Sequence, residues 1–159
     1  MEKQKEIPLT YRLATEADLL GLVQLLADDE LGATREQFTR PLPAAYTRAF
    51  RAIADDAQQE LTVVERAGEL VATFQLSFLQ YLTHLGGLRA QIEGVRVKAA
   101  YRGQGIGHQV FQYAIQRAAT KGAYVLQLTT DKQRPGAKRF YESLGFVHSH
   151  DGLKLPLQK

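Results

Sequence analysis

Residues 89–121 constrain the fold more than any other stretch of the chain. A strand over 89–98 passes through a short turn into Arg102-Gly103-Gln104-Gly105-Ile106-Gly107, and a helix opens at once over 105–121. Ile106, Val110, Phe111, Ala114, Ile115 and Ala118 recur at helical spacing on one face of that helix, with Gln109, Gln112, Gln116 and Arg117 on another. Gly122 falls where a left-handed residue commonly ends a helix. So short a connection obliges the helix to lay its apolar stripe on the sheet it came from.

The flanking sequence extends this unit into a layered domain. Residues 7–14 read as a strand. Thr15 with Asp18 forms a capping-box-like start, Asp standing where Glu or Gln is usual, and Leu19, Leu22, Val23 and Leu26 continue as a helix. Asp28-Asp29-Glu30-Leu31-Gly32 breaks the pattern and begins a loop. A second helix starts near Pro43, with Tyr46, Phe50, Ile53, Ala54 and Ala57 as its buried stripe. Strands over 60–66 and 70–79 meet at Ala67-Gly68-Glu69. Beyond the long helix come a strand over 124–130, a helix from Pro135 to Leu144 stopped by Gly145, and strands at Phe146–Ser149 and Leu153–Leu155 around an Asp151-Gly152 turn. This order implies a mixed sheet with helices packed against it, an α/β fold (α+β by some schemes), and a length that suits a single domain over 1–159.

Several function classes fall away. Cysteine is absent, which excludes disulfides, thiolate metal sites and a cysteine nucleophile, and suits a reducing cytoplasm. The N-terminus is charged, and no run approaches the roughly 18 apolar residues of a membrane helix, so neither export nor a membrane partner is expected. A net charge of +3 is too small and too scattered to argue for nucleic acid. His84, His108, His148 and His150 lack metal-ligand spacing, so no metal is expected.

The glycine loop carries the chemistry. Glycines let the backbone approach a ligand closely, and the first amides of a helix point outward with partial positive charge, which together suit phosphate oxygens. Arg102 and Lys98 add charge nearby. A P-loop needs Gly-Lys-Ser/Thr, and Gly107-His108-Gln109 lacks it. The dinucleotide fingerprint also fails, whether counted from Gly103 and Gly105 to His108 or from Gly105 and Gly107 to Val110. The spacing that fits is Arg or Gln, two residues, Gly, one residue, then Gly or Ala, filled by Arg102, Gly105 and Gly107.

That pattern resembles the pyrophosphate-binding motif of the GCN5-related N-acetyltransferases. Thr129 to Phe146 adds a second match in the right order, with Phe140-Tyr141-Glu142 and Gly145-Phe146 resembling the family's closing helix. Asp131 stands where the family often has Asn. The resemblance implies a sheet of six to seven mostly antiparallel strands with about four helices on its faces, its central strands splayed to admit acetyl-coenzyme A. It implies that Val95 and Val97 offer backbone groups to the pantetheine arm, that Gly94 marks a bulge, and that Arg102, Gly103, Gln104, Gly105, Ile106, Gly107 and Asp131 line the co-substrate.

Transfer to an amine needs a proton acceptor and can use a donor for the departing thiolate. Without a cysteine or a Gly-x-Ser-x-Gly elbow, direct transfer is the simpler scheme. The resemblance points to Glu93 as the base and Tyr141 as the acid. Against these stand a strand glutamate paired with Arg89 and a tyrosine that only packs. The expected activity is acetyl transfer to a primary amine of a small molecule or peptide; the alternative is a coenzyme A-binding sensor or interaction domain without turnover. Asp28–Leu42 and Leu79–Leu88 would flank the acceptor, and a homodimer is compatible with the resemblance.

Overall fold

The β-branched runs pair in chain order. In the computed structural model, which describes residues 8–134 and 136–158, five strands form one open sheet: β1 (Leu9–Leu13), β2 (Gln59–Arg66), β3 (Glu69–Gln80), β4 (Leu88–Val97) and β5 (Ala123–Gln127). The first three pairings are antiparallel and β4 runs parallel to β5. This matches the expected mixed, mostly antiparallel sheet. The helices are α1 (Leu19–Ala27), α2 (Glu30–Arg35), α3 (Ala44–Ala54), α4 (Thr83–Gly86), α5 (Ile106–Thr120) and α6 (Ala137–Ser143). Of these, α4 is a single turn in which His84 and Leu85 take left-handed φ.

Local chemistry explains most boundaries. Asp18 accepts from the backbone N–H and hydroxyl of Thr15 at 2.7 and 2.9 Å, and the Arg12 guanidinium clamps the same carboxylate through both oxygens. That clamp is the largest cause holding the Asp18 carboxyl well below the usual carboxylate range. The loop expected after Ala27 is instead the short helix α2, because Asp29 caps it by accepting from Gly32 N.

The core lies between the sheet and α5. Phe74, Leu76, Ile92, Ile106, Val110 and Phe111 are all under 3% exposed, each contributing roughly 1.5–3 kcal/mol by leaving water. Ile115 sits at the margin of the α5 stripe, 40% exposed. Glu60 marks the face toward α5, since it takes Arg117 of that helix at 2.7 and 2.9 Å. This guanidinium, then burial acting the other way, sets the Glu60 carboxyl, with a net downward shift.

The chain divides into two compact units, one ending at Gln127 and one beginning at Leu128. In the second, α6 is followed by chain without strand structure. The six to seven strands expected are therefore five among the described residues, and the strands at 146–149 and 153–155 are not present. Alternation alone does not make a strand; the backbone must find a ladder partner. No described strand pairs there, Pro156 interrupts the donor pattern, and Val147, Leu153 and Leu155 are 81%, 95% and 81% exposed. Likewise the strand expected over 124–130 stops at Gln127. Two short helices, α2 and α4, raise the count above the four expected.

Candidate active site

β4 builds the site because it outruns its neighbour. Its pairing with β5 covers Leu88 to Gln91, the last rung being Gln91 with Gln127, while β4 continues to Val97. On the other side β4 stays paired with β3 through Arg96 and Val97. Because β5 stops at Gln127 while β4 runs on, the end of their pairing is a fork whose β4 side, from Ile92 to Val97, has no strand partner toward β5 among the described residues. Lys98 N donates to Val71 O on the β3 side. Alternate residues point their polar groups to opposite edges, so Val97, and Val95 two residues before it, face the open side. The bulge expected at Gly94 is present: the register slips between Thr73 and Gln75 opposite it, and Gly94 has φ of 61°.

The two outward carbonyls already carry guanidinium donors. Arg96 Nη1 donates to Val95 O at 2.9 Å and Arg102 Nε to Val97 O at 3.0 Å. Arg102 also reaches Asp28, donating to its backbone oxygen at 3.1 Å, and Arg96 Nε lies 3.3 Å from Asp29 Oδ2. The acidic run 28–30 is thus tied to the strand edge by two arginines. A carbonyl oxygen has two lone pairs, so these contacts leave room for a second donor.

The glycine loop follows directly. Gly103 and Gly105 have φ of 75° and 78°, the left-handed region that side chains resist, and a Cβ at either would meet nothing within 4 Å. Open space therefore lies over the backbone there. Gly105 is the N-cap of α5, and no side chain caps this end, where the first amides have no acceptor within the helix. Ile106 packs its side chain into the core at 1% exposure, which fixes that helix end. Gln104 is held from both sides: its Nε2 donates to Ala100 O at 3.1 Å and its Oε1 accepts from Arg66 Nη1 at 3.0 Å. Arg66 also lies over the Tyr101 ring at 5.7 Å. Lys98 is not free to turn toward a phosphate; it pairs with Glu69, which also accepts from the Tyr101 hydroxyl. The Lys98 contact, then that of Tyr101, holds the Glu69 carboxyl below its ordinary value.

Glu93 sits two residues past the fork, exposed, and accepts from Gln91 Nε2 at 2.7 Å. Pairing with Arg89 is not what holds it, because Arg89 donates to the Tyr124 hydroxyl at 2.8 Å and lies over the Tyr81 ring at 4.9 Å. No ion pair involves Glu93 among the described residues.

In the second unit, Asp131 turns its carboxylate onto its own loop, accepting from Gln133 N at 2.9 Å. Tyr141 is half-buried on α6, edge-on to Phe140 and Phe146 with centroids 5.5 and 6.1 Å away. Arg66, Arg96, Gln91 and Gln127 escaped the sequence reading. Gln91 had a signal, sharing a strand face with Glu93 by period two; the others needed the register.

The comparisons with known proteins agree with this geometry. Residues 22–146 match the acetyltransferase (GNAT) family. The chain belongs to that family. An aminoalkylphosphonate N-acetyltransferase of Salmonella typhimurium is 31% identical over 106 residues, covering 67% of this chain and 68% of the relative. A transcriptional regulator from Bacillus halodurans C-125 is 52% identical and superposes with a TM-score of 0.91, over 94% of this chain and all of its own. Glucosamine-6-phosphate N-acetyltransferase from Arabidopsis thaliana shares the fold, with a TM-score of 0.77 at 20% identity over 95% and 99% of the two chains. The GNAT assignment makes the protein an N-acetyltransferase. No described helix is long and apolar enough to cross a membrane, and no described group of three or more His, Asp or Glu could hold a metal.

Proposed function

We propose that a single domain over residues 1–159 moves an acetyl group directly from acetyl-coenzyme A to a primary amine of a small molecule or peptide. The observation that carries this is the end of the β4–β5 pairing: beyond Gln91 the β5 side of β4 has no strand partner among the described residues, and this edge leads into the left-handed Gly103–Gly105 loop. The residues fit a diphosphate-bearing co-substrate. The loop leaves space that a Cβ would fill, α5 presents uncapped amides, and Arg102 stands next to them. Arg102, Gly103, Gln104, Gly105, Ile106 and Gly107 would hold the diphosphate end, and the backbone of Val95 and Val97 the pantetheine arm; Asp131 is assigned to the co-substrate only by the resemblance of its motif. Acetyl-coenzyme A, when bound, supplies an acetyl group activated as a thioester.

The chain's own residues manage protons and position. Glu93 is exposed, paired with no cation among the described residues and aimed by Gln91, which suits a carboxylate that accepts a proton from an incoming ammonium or through water. Tyr141 takes the acid role on the strength of its place in the Phe140-Tyr141-Glu142 motif; a phenol with an ordinary pKa near 10 carries its proton at neutral pH. The acceptor of the Salmonella relative makes aminoalkylphosphonates the first amines to test. A cytoplasmic setting, in keeping with the cysteine-free sequence, and a homodimer belong to the same reading, the latter decided by light scattering.

The name of the 52%-identical Bacillus halodurans relative favours a second reading, a coenzyme A-binding regulator without turnover. Thiol release from acetyl-coenzyme A over a panel of amines separates the two. Amine-dependent release that falls on Glu93→Gln supports the enzyme. Tight coenzyme A binding with no release on any amine favours the regulator.

A further inference from the structure

The side chains at the fork form a directed chain of hydrogen bonds that ends on Glu93. Gln127 of β5 donates from Nε2 to Gln91 Oε1 at 2.9 Å, and Gln91 of β4 donates from its own Nε2 to Glu93 Oε1 at 2.7 Å. Its direction is forced. An ionised carboxylate only accepts, so Gln91 must turn its NH2 to Glu93, which leaves its carbonyl oxygen for Gln127 and obliges Gln127 to donate. A flipped amide at either position would set like groups against each other.

Placement gives this chain a purpose beyond filling a surface. Gln91 and Gln127 are the final rung of the parallel pairing, so the bond between them spans the last point at which β4 and β5 are held together. Glu93 lies on the first stretch of β4 beyond that point. Registered neighbours share a face, and the row Gln59, Ser77, Gln91, Gln127 runs across four strands on the side away from Glu60 and α5. Two further bonds, Gln75 Nε2 and Ser77 Oγ each donating to Gln59 Oε1 at 2.9 and 2.7 Å, tie the β2–β3 part of this row together. All of these glutamines are only partly exposed, so their rotamers are restricted in a way that a surface glutamine's are not. Glu93, exposed and paired with no cation among the described residues, has Gln91 as its side-chain anchor.

We propose that Gln91 is a positioning residue for the acetyl transfer, holding Glu93 in the orientation that receives the acceptor's proton, and that Gln127 secures Gln91 across the fork. This rests on the reading of Glu93 as the base. Without the Gln91 donor the carboxylate swings among rotamers, and its charged form loses a hydrogen bond. Both effects lower kcat more than they raise KM, because they act on the step in which the proton is received rather than on ground-state binding.

The test is steady-state kinetics, kcat and KM separately, on Gln91→Met, Gln127→Met, Glu93→Gln and the double variant Gln91→Met/Glu93→Gln, with circular dichroism and melting curves to establish folding. Methionine keeps the length of glutamine without its amide. The expected result is a loss of about tenfold or more in kcat for Gln91→Met, the scale of one hydrogen bond to a charged group. A smaller loss is expected for Gln127→Met. Gln91→Met should add nothing in the Glu93→Gln background. If Glu93→Gln is slow but Gln91→Met keeps the wild-type kcat and KM, the relay is wrong and the base assignment stands. If Glu93→Gln is itself unimpaired, both fall. Should Gln91→Met fail to fold, Gln127→Met against the same Glu93→Gln background decides the matter alone.

Discussion

Replacing Gly105 with aspartate separates the cost to the fold from the cost to the site. Gly105 has φ of 78° and a Cβ there meets nothing within 4 Å. The fold therefore loses only backbone freedom, about 1–2 kcal/mol for a residue forced into the left-handed region. Aspartate tolerates that region better than most residues and is a favoured N-cap, so its cost lies at the low end. For a chain of this size the melting temperature should fall by roughly 2–8 °C at most. Binding should respond far more strongly. A carboxylate about 4 Å from one diphosphate charge repels it by about 4 kcal/mol at an effective dielectric of about 20, close to a thousandfold in affinity. Gly105→Ala adds the strain without the charge and serves as the control. Calorimetric titration of coenzyme A into all three proteins, with melting curves, gives both quantities. If the aspartate variant binds within about threefold of the alanine variant, a gap under about 1 kcal/mol, the loop does not hold a diphosphate.

Two further outcomes follow from single contacts. Tyr141→Phe should lower turnover while leaving coenzyme A affinity within about twofold, since the ring still packs between Phe140 and Phe146 and only the proton donor is gone; an unchanged rate of thiol release removes Tyr141 from the chemistry. Asp18 gives a pH signature in stability. Its folded pKa is depressed, chiefly by Arg12, so its contribution is fully present above the unfolded value near 4 and is lost as pH falls toward the folded one. The urea midpoint of the wild type should exceed that of Asp18→Asn at pH 7, and the gap should narrow progressively as pH falls below about 4; a gap of constant size would refute the clamp.

The glycine loop, the long helix and the first five strands in chain order were legible in the residues alone, because each rests on short-range physics. Left-handed backbone at Gly103 and Gly105 follows from what a Cβ forbids, and the stripe from Ile106 to Ala118 follows from the helical repeat. The bulge at Gly94 was legible for the same reason. Tertiary structure decided where those pieces meet. Gln127 reaches Gln91 across 36 residues only through the parallel register, and Asp28 and Asp29 lie against Arg102 and Arg96. The strands expected near the C-terminus mark the limit from the other side: Leu153 and Leu155 alternate as a strand should, yet their backbone has no ladder to join. Periodicity reports which side chains could share a face. Only the fold supplies the neighbour that completes the hydrogen bonds.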